Sequence, residues 1–68
     1  MQKSDLQVGD RVLIARVFYP QQPRHAAMIG KTGIVTRIYK TKDEVILTLD
    51  DGDTWHATPC NLDLLPPV

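Results

Sequence analysis

Apolar and polar positions alternate most regularly in the middle of the chain, where Val45, Leu47 and Leu49 alternate with Ile46 and Thr48. Successive side chains of a strand point to opposite faces, so this period of two predicts a strand over 44–49 with one face turned to a core. Upstream, Gly30-Lys31-Thr32-Gly33 runs straight into the β-branched stretch Ile34, Val35, Thr36 and Ile38. Glycine takes positive φ without steric cost, so two of them three apart predict a sharp reversal into a strand over 33–40. Val8-Gly9-Asp10-Arg11 repeats that turn-then-strand pattern ahead of a first strand over 11–18. There Val12, Leu13, Ile14, Ala15, Val17 and Phe18 are nearly continuous, as in a strand covered on both sides or bent sharply.

The connections follow from turn chemistry. Lys40-Thr41-Lys42-Asp43 is a polar hairpin, and Asp51-Gly52 is a tight-turn dipeptide leading into a strand over Thr54-Trp55-His56-Ala57. Thr58-Pro59-Cys60-Asn61 predicts one helical turn, with Thr58 as cap and Pro59 in the first position. Leu62, Leu64 and Leu65 then make a short last strand that Pro66-Pro67 stops. Between the first two strands, Pro20 and Pro23 interrupt Tyr19–Ile29 and predict an exposed loop, a length more often functional than a short connection is. The whole reads as one all-β domain over 1–68, with 1–6 and 66–68 as loose termini: a small five-stranded SH3-like barrel with one short helical turn before the last strand.

Gly9-Asp10-Arg11-Val12, the loop with Pro23-Arg24, and Ile29-Gly30-Lys31-Thr32-Gly33-Ile34-Val35 resemble the SH3-like barrels grouped as electron-transport accessory domains. These include the C-terminal domain of the nitrile hydratase β subunit and the photosystem I subunit IV. The resemblance implies an accessory module on a larger complex. The stretch from Gly30 to Ile38 is equally similar to the KOW motif of ribosomal and transcription-elongation proteins, which implies a nucleic-acid or ribosome-associated role. Sites are grafted onto folds, so neither resemblance supplies a function by itself.

A chain of 68 residues buries only about 60 % of the surface its unfolded form exposes, so its stability is modest. Its single cysteine, Cys60, excludes an intramolecular disulfide, and Cys60, His25 and His56 lack zinc-ligand spacing. No metal or cofactor is expected. No apolar run is long enough to span a bilayer, and residues 1–5 lack the apolar core of a signal peptide, so a cytoplasmic protein without membrane contact is expected. Net charge is zero, but residues 1–42 hold all eight Lys and Arg against Asp5 and Asp10, and residues 43–68 hold six acids and no base. The imbalance fits either a basic face for an anionic partner or opposite charges paired between neighbouring strands.

Catalytic chemistry is scarce. Ser4, the only serine, lies near a terminus, and Asp50, Asp51 and Asp53 begin like a calcium loop whose twelfth position is Asn61 rather than an acid. Cys60 four residues after His56 is better read as a small hydrophobe on the helical turn than as a nucleophile. No catalytic residue is assigned, and the chain is read as a non-enzyme, the alternative being a site on the symmetry axis of a homo-oligomer. Binding is the remaining class. Phe18, Tyr19, Arg24, His25, Trp55 and His56 are the candidate contacts for a protein partner, around the long loop and the fourth strand. Arg16, Lys31, Arg37, Lys40 and Lys42 are the candidate anion or nucleic-acid contacts.

Overall fold

The structure, a computed structural model, describes residues 2–66. Five antiparallel strands form one sheet: β1 Arg11–Ile14, β2 Thr32–Ile38, β3 Val45–Leu49, β4 Thr54–Ala57 and β5 Leu62–Leu64, in the order β4-β3-β2-β1-β5. The protein is mostly β, and a short 3-10 turn, Pro59–Asn61, leads into β5 as expected, with Thr58 as its N-cap and Pro59 first. β4 and β5 are the two ends of the sheet.

The core is built by alternation. Val12 and Ile14 of β1, Val35 of β2, Val45, Leu47 and Leu49 of β3, Ala57 and Leu62 are all buried, with Val17, Met28, Ile38 and Trp55 packed at the margin. β3 shows the period-two pattern most cleanly, its residues 45, 47 and 49 inside.

In β2 the alternation is broken on purpose. Val35 faces Leu47 and Arg37 faces Ile46, so Thr36 is an extra residue, and its hydroxyl bonds to the Ile46 carbonyl at 3.2 Å. A bulge of this kind bends the strand and shifts its parity. Thr36 and Arg37 are consequently both exposed, while Ile38 returns to the core.

Several boundaries differ from the sequence reading. β1 ends at Ile14 and not at 18, because Ala15 and Arg16 direct their N–H groups to the Asn61 carbonyl and leave the β2 ladder. β2 ends at Ile38 and not at 40, and β3 starts at Val45. Only Gly30 of the paired glycines reverses the chain, at φ 92°. Gly33 lies within β2, where a Cβ would stand 2.7 Å from the Thr48 carbonyl oxygen; it allows close approach of β3.

The loop expected over Tyr19–Ile29 contains a short helix, α1, Pro23–Ala26. Pro23 disfavours helix in the residue before it but suits the first helical position, where its missing N–H has no partner to lose. At the N-terminus, residues expected to be loose are partly tied down: Lys3–Asp5 form a 3-10 turn and Leu6, 5 % exposed, joins the core. Of the expected loose ends, Met1, Pro67 and Val68 lie outside the described residues. Among the described residues no helix is long and apolar enough to cross a membrane.

Candidate functional site

Three separate pieces of chain meet beside β4. The segment leaving β1 brings Arg16, Phe18 and Tyr19, α1 brings His25, and β4 with its continuation brings Trp55, His56, Ala57 and Thr58. They line a cavity of about 90 Å³, with Ile14 and Asn61 also in its wall. A shallower depression of about 370 Å³ lies beyond Trp55, between Arg24, His25 and Met28 on one side and Asp53 and Thr54 on the other. Trp55 and His25 belong to both, so the two form one groove that follows β4 from Thr54 to Thr58.

The aromatic wall is stacked edge to face. The His25 ring lies 5.7 Å from Tyr19 at 82° and 5.5 Å from Trp55 at 74°. Such geometry sets the positive ring edge of one group against the negative face of the next. α1 matters because it aims His25 between two rings that are 36 positions apart in the chain. Phe18 and Tyr19 remain 61 % and 53 % exposed, which leaves apolar surface at the mouth of the groove. Trp55 packs partly on the core, and His56, of opposite parity, is exposed and sets Nδ1 3.2 Å from Glu44.

The groove thus gathers five of the candidate partner contacts, Phe18, Tyr19, His25, Trp55 and His56, with Arg24 at the shallower end. It also recruits Arg16 from the anion set. Arg16 Nε donates to the Cys60 carbonyl at 3.0 Å, which fixes the guanidinium at the groove wall. Asn61, 9 % exposed, is a groove residue that the sequence did not single out. Nothing in its type marks it; only the 3-10 turn turns it inward.

The other anion candidates divide. Lys31 is bonded to Asp51 at 2.8 Å, and Arg11 reaches Asp50 at 3.5 Å, while the Thr32 hydroxyl also bonds Asp50. The Asp51 hydrogen bond holds the Lys31 ammonium above its ordinary pKa, and Lys31 together with the Asp53 N–H holds the Asp51 carboxyl below its own. Opposite charges paired between neighbouring segments therefore account for Arg11 and Lys31 at this end of the sheet, Lys31 in an exposed ion pair. Of the acids that begin like a calcium loop, Asp50 sets Oδ2 on Arg11 and Thr32, and Asp51 accepts from Lys31 and the Asp53 N–H.

At the opposite end of β3, Arg37 and Lys42 both lie over the Tyr39 ring, 4.9 and 5.3 Å from its centroid. Lys3 joins them by donating to the Lys40 and Lys42 carbonyls. Among the described residues neither these three cations nor Lys40 has a carboxylate within 4.0 Å, although Asp5, Asp43 and Glu44 stand in the neighbouring sequence.

Cys60 differs from its expected role: it is exposed, and Pro59 and Asn61 are the buried residues of the turn. The thiol faces Asn61 Oδ1 at 3.7 Å, whereas His56 turns to Glu44. Compared with known protein families, curated proteins and solved structures, the chain matches none of them.

Proposed function

We propose that this chain is a non-catalytic docking module, an SH3-like barrel of the accessory kind, that holds a protein partner in the groove beside β4. The observation that carries it is the edge-to-face wall of Tyr19, His25 and Trp55 opening onto exposed Phe18. Aromatic residues around a small desolvated pocket are what concentrates binding energy in protein interfaces. The inner cavity, about 90 Å³, suits one inserted side chain, and the adjoining depression gives room for the chain that carries it. The same reading places the protein in the cytoplasm, where an exposed thiol such as Cys60 stays reduced.

Selection from a phage-displayed random peptide library tests it. Bound peptides should lose affinity at least about tenfold with Trp55→Ala and with Tyr19→Ala while circular dichroism shows the fold retained. Peptides indifferent to both changes, or no peptide at all, would remove the groove as a docking site.

A second reading, a KOW-like nucleic-acid contact, draws on Arg37 and Lys42 over Tyr39, with Lys3 bonded to the adjoining Lys40 and Lys42 carbonyls. Three acids at the same end, Asp5, Asp43 and Glu44, oppose a polyanion there, which is why the protein partner is preferred. Binding of a single-stranded oligonucleotide at low salt, lost on combining Arg37→Ala with Lys42→Ala, would favour the second reading.

A further inference from the structure

We infer that the occupant of this groove is an extended acidic segment of a partner protein, added as a further strand on the free edge of β4, with a carboxylate on Arg16; this rests on the docking reading above.

The main chain of β4 supplies the first argument. Asp50 N–H bonds to the Thr32 carbonyl and Leu49 N–H to the Asp53 carbonyl, so successive residues of this chain face β2 and β4 in turn. Carried back along β3, that alternation turns Val45 and Leu47 toward β4, where they oppose Ala57 and Trp55. Thr54 and His56, between and beside those residues, therefore direct their N–H and C=O groups away from the sheet. β4 is an end strand, and among the described residues no other backbone group meets these four. An unpaired strand edge of this kind is a template for another extended chain.

The course of the groove supplies the second. Side chains of a strand alternate between faces, yet Trp55, His56, Ala57 and Thr58 all line one cavity. A depression bordered by both parities runs along the edge of the strand and not across one face. With the shallower part reaching Thr54, it follows the whole length of β4. An occupant lying there meets the free N–H and C=O groups with its backbone and the cavity with one apolar side chain.

Charge selects the occupant. The Nε bond to Cys60 holds the Arg16 guanidinium in place, and among the described residues its terminal N–H groups have no carboxylate within 4.0 Å. A guanidinium so fixed is preorganised for bidentate contact with a carboxylate. At the other end Asp53 lines the depression across from Arg24 and would oppose an incoming carboxylate, so the acid belongs at the Arg16 end.

The strongest binder from the displayed library, made as a free peptide, provides the test. Its sequence should carry Asp or Glu beside an apolar residue, and changing that acid to its amide should weaken binding about tenfold. Arg16→Gln should cost the same, with little added loss when both changes are combined, and Arg16→Lys should restore part of it. Hydrogen exchange should slow at the Thr54 and His56 amides on binding and change little at Trp55 and Ala57, which β3 already holds. A peptide that depends on Trp55 but not on Arg16, and leaves Thr54 and His56 unprotected, would overturn strand addition while leaving the docking function intact. Absence of any binder would instead sink the docking function itself. Concentration-dependent dimerisation with the same two amides protected would replace the partner by a second copy, and an oligonucleotide competing for Arg16 would replace it by a nucleic acid.

Discussion

Gly33 and Gly30 stand three apart and are needed for different reasons. At Gly33 a methyl group would meet the Thr48 carbonyl oxygen at 2.7 Å and Leu49 Cα at 3.0 Å, both backbone atoms that cannot step aside without opening the β2–β3 ladder. Gly33→Ala should therefore destabilise the fold by about 1–3 kcal/mol, measured by urea unfolding. Gly30 has open space around it but sits at φ 92°, so Gly30→Ala should cost about 1–2 kcal/mol from backbone strain alone. Both glycines are visible in the sequence. The division of labour between them is not, because it depends on how closely β3 approaches.

Lys31 and Asp51 give a residue-scale prediction in pH. The lowered carboxyl of Asp51 contributes stability above its unfolded pKa, and that contribution is lost as the pH falls through the lowered folded value. The raised ammonium of Lys31 contributes below its unfolded pKa and loses that contribution as the pH rises through the raised folded value. The stability gap between wild type and Asp51→Asn should thus be open at neutral pH and close in acid, and the gap for Lys31→Met should close in strong base. Both groups are solvent-exposed, so high salt should shrink each gap at neutral pH. Thermal melts across pH, at two salt concentrations, read all of this; a gap that widens in acid would show the pair unimportant.

Among the elements, α1 is the one the sequence concealed and the site most needs. Pro23 looks like a helix breaker when the residues before it are considered, yet it starts the helix that sets His25 between Tyr19 and Trp55. Replacing His25 by Ala should remove two aromatic contacts and cost about 1 kcal/mol in urea unfolding, with Tyr19 left more mobile. A double-mutant cycle of His25→Ala with Trp55→Ala should show coupling; additive losses would mean that the stack contributes nothing beyond its area. β3 is the opposite case, a strand whose inward residues 45, 47 and 49 were legible from period alone. β2 lies between them: its β-branched run was legible, but the bulge at Thr36 that sends Arg37 outward needs the partner strand to define it.

For the molecule as a whole, a sheet of this size has one small core and little stability to spare. Leu47 is fully buried at its centre, and Leu47→Ala should cost about 2–5 kcal/mol, comparable with the few kcal/mol expected of the entire domain. Circular dichroism should show that variant largely unfolded at room temperature, whereas Leu64→Ala, at a half-exposed position of β5, should leave the fold in place. The charge halves of the sequence resolve at this scale as well. Lys31 and Arg11 pair with Asp51 and Asp50 of the β3–β4 turn, and the cations without a carboxylate partner among the described residues collect elsewhere, at the β2–β3 hairpin and along the groove.

Local physics was enough to announce strands, turns and the 3-10 turn at Pro59, because period, β-branching and the conformational limits of Gly and Pro act within a few residues. The same residues also named most of the groove, since exposed aromatics beside a proline-broken loop are a local signal. The tertiary structure alone decided that Arg16 and Asn61 join them, that Lys31 is spent on Asp51, and that β4 is left with an open edge. Those facts depend on which distant segments become neighbours, and a neighbour across the fold leaves no mark on the spacing of residues along the chain.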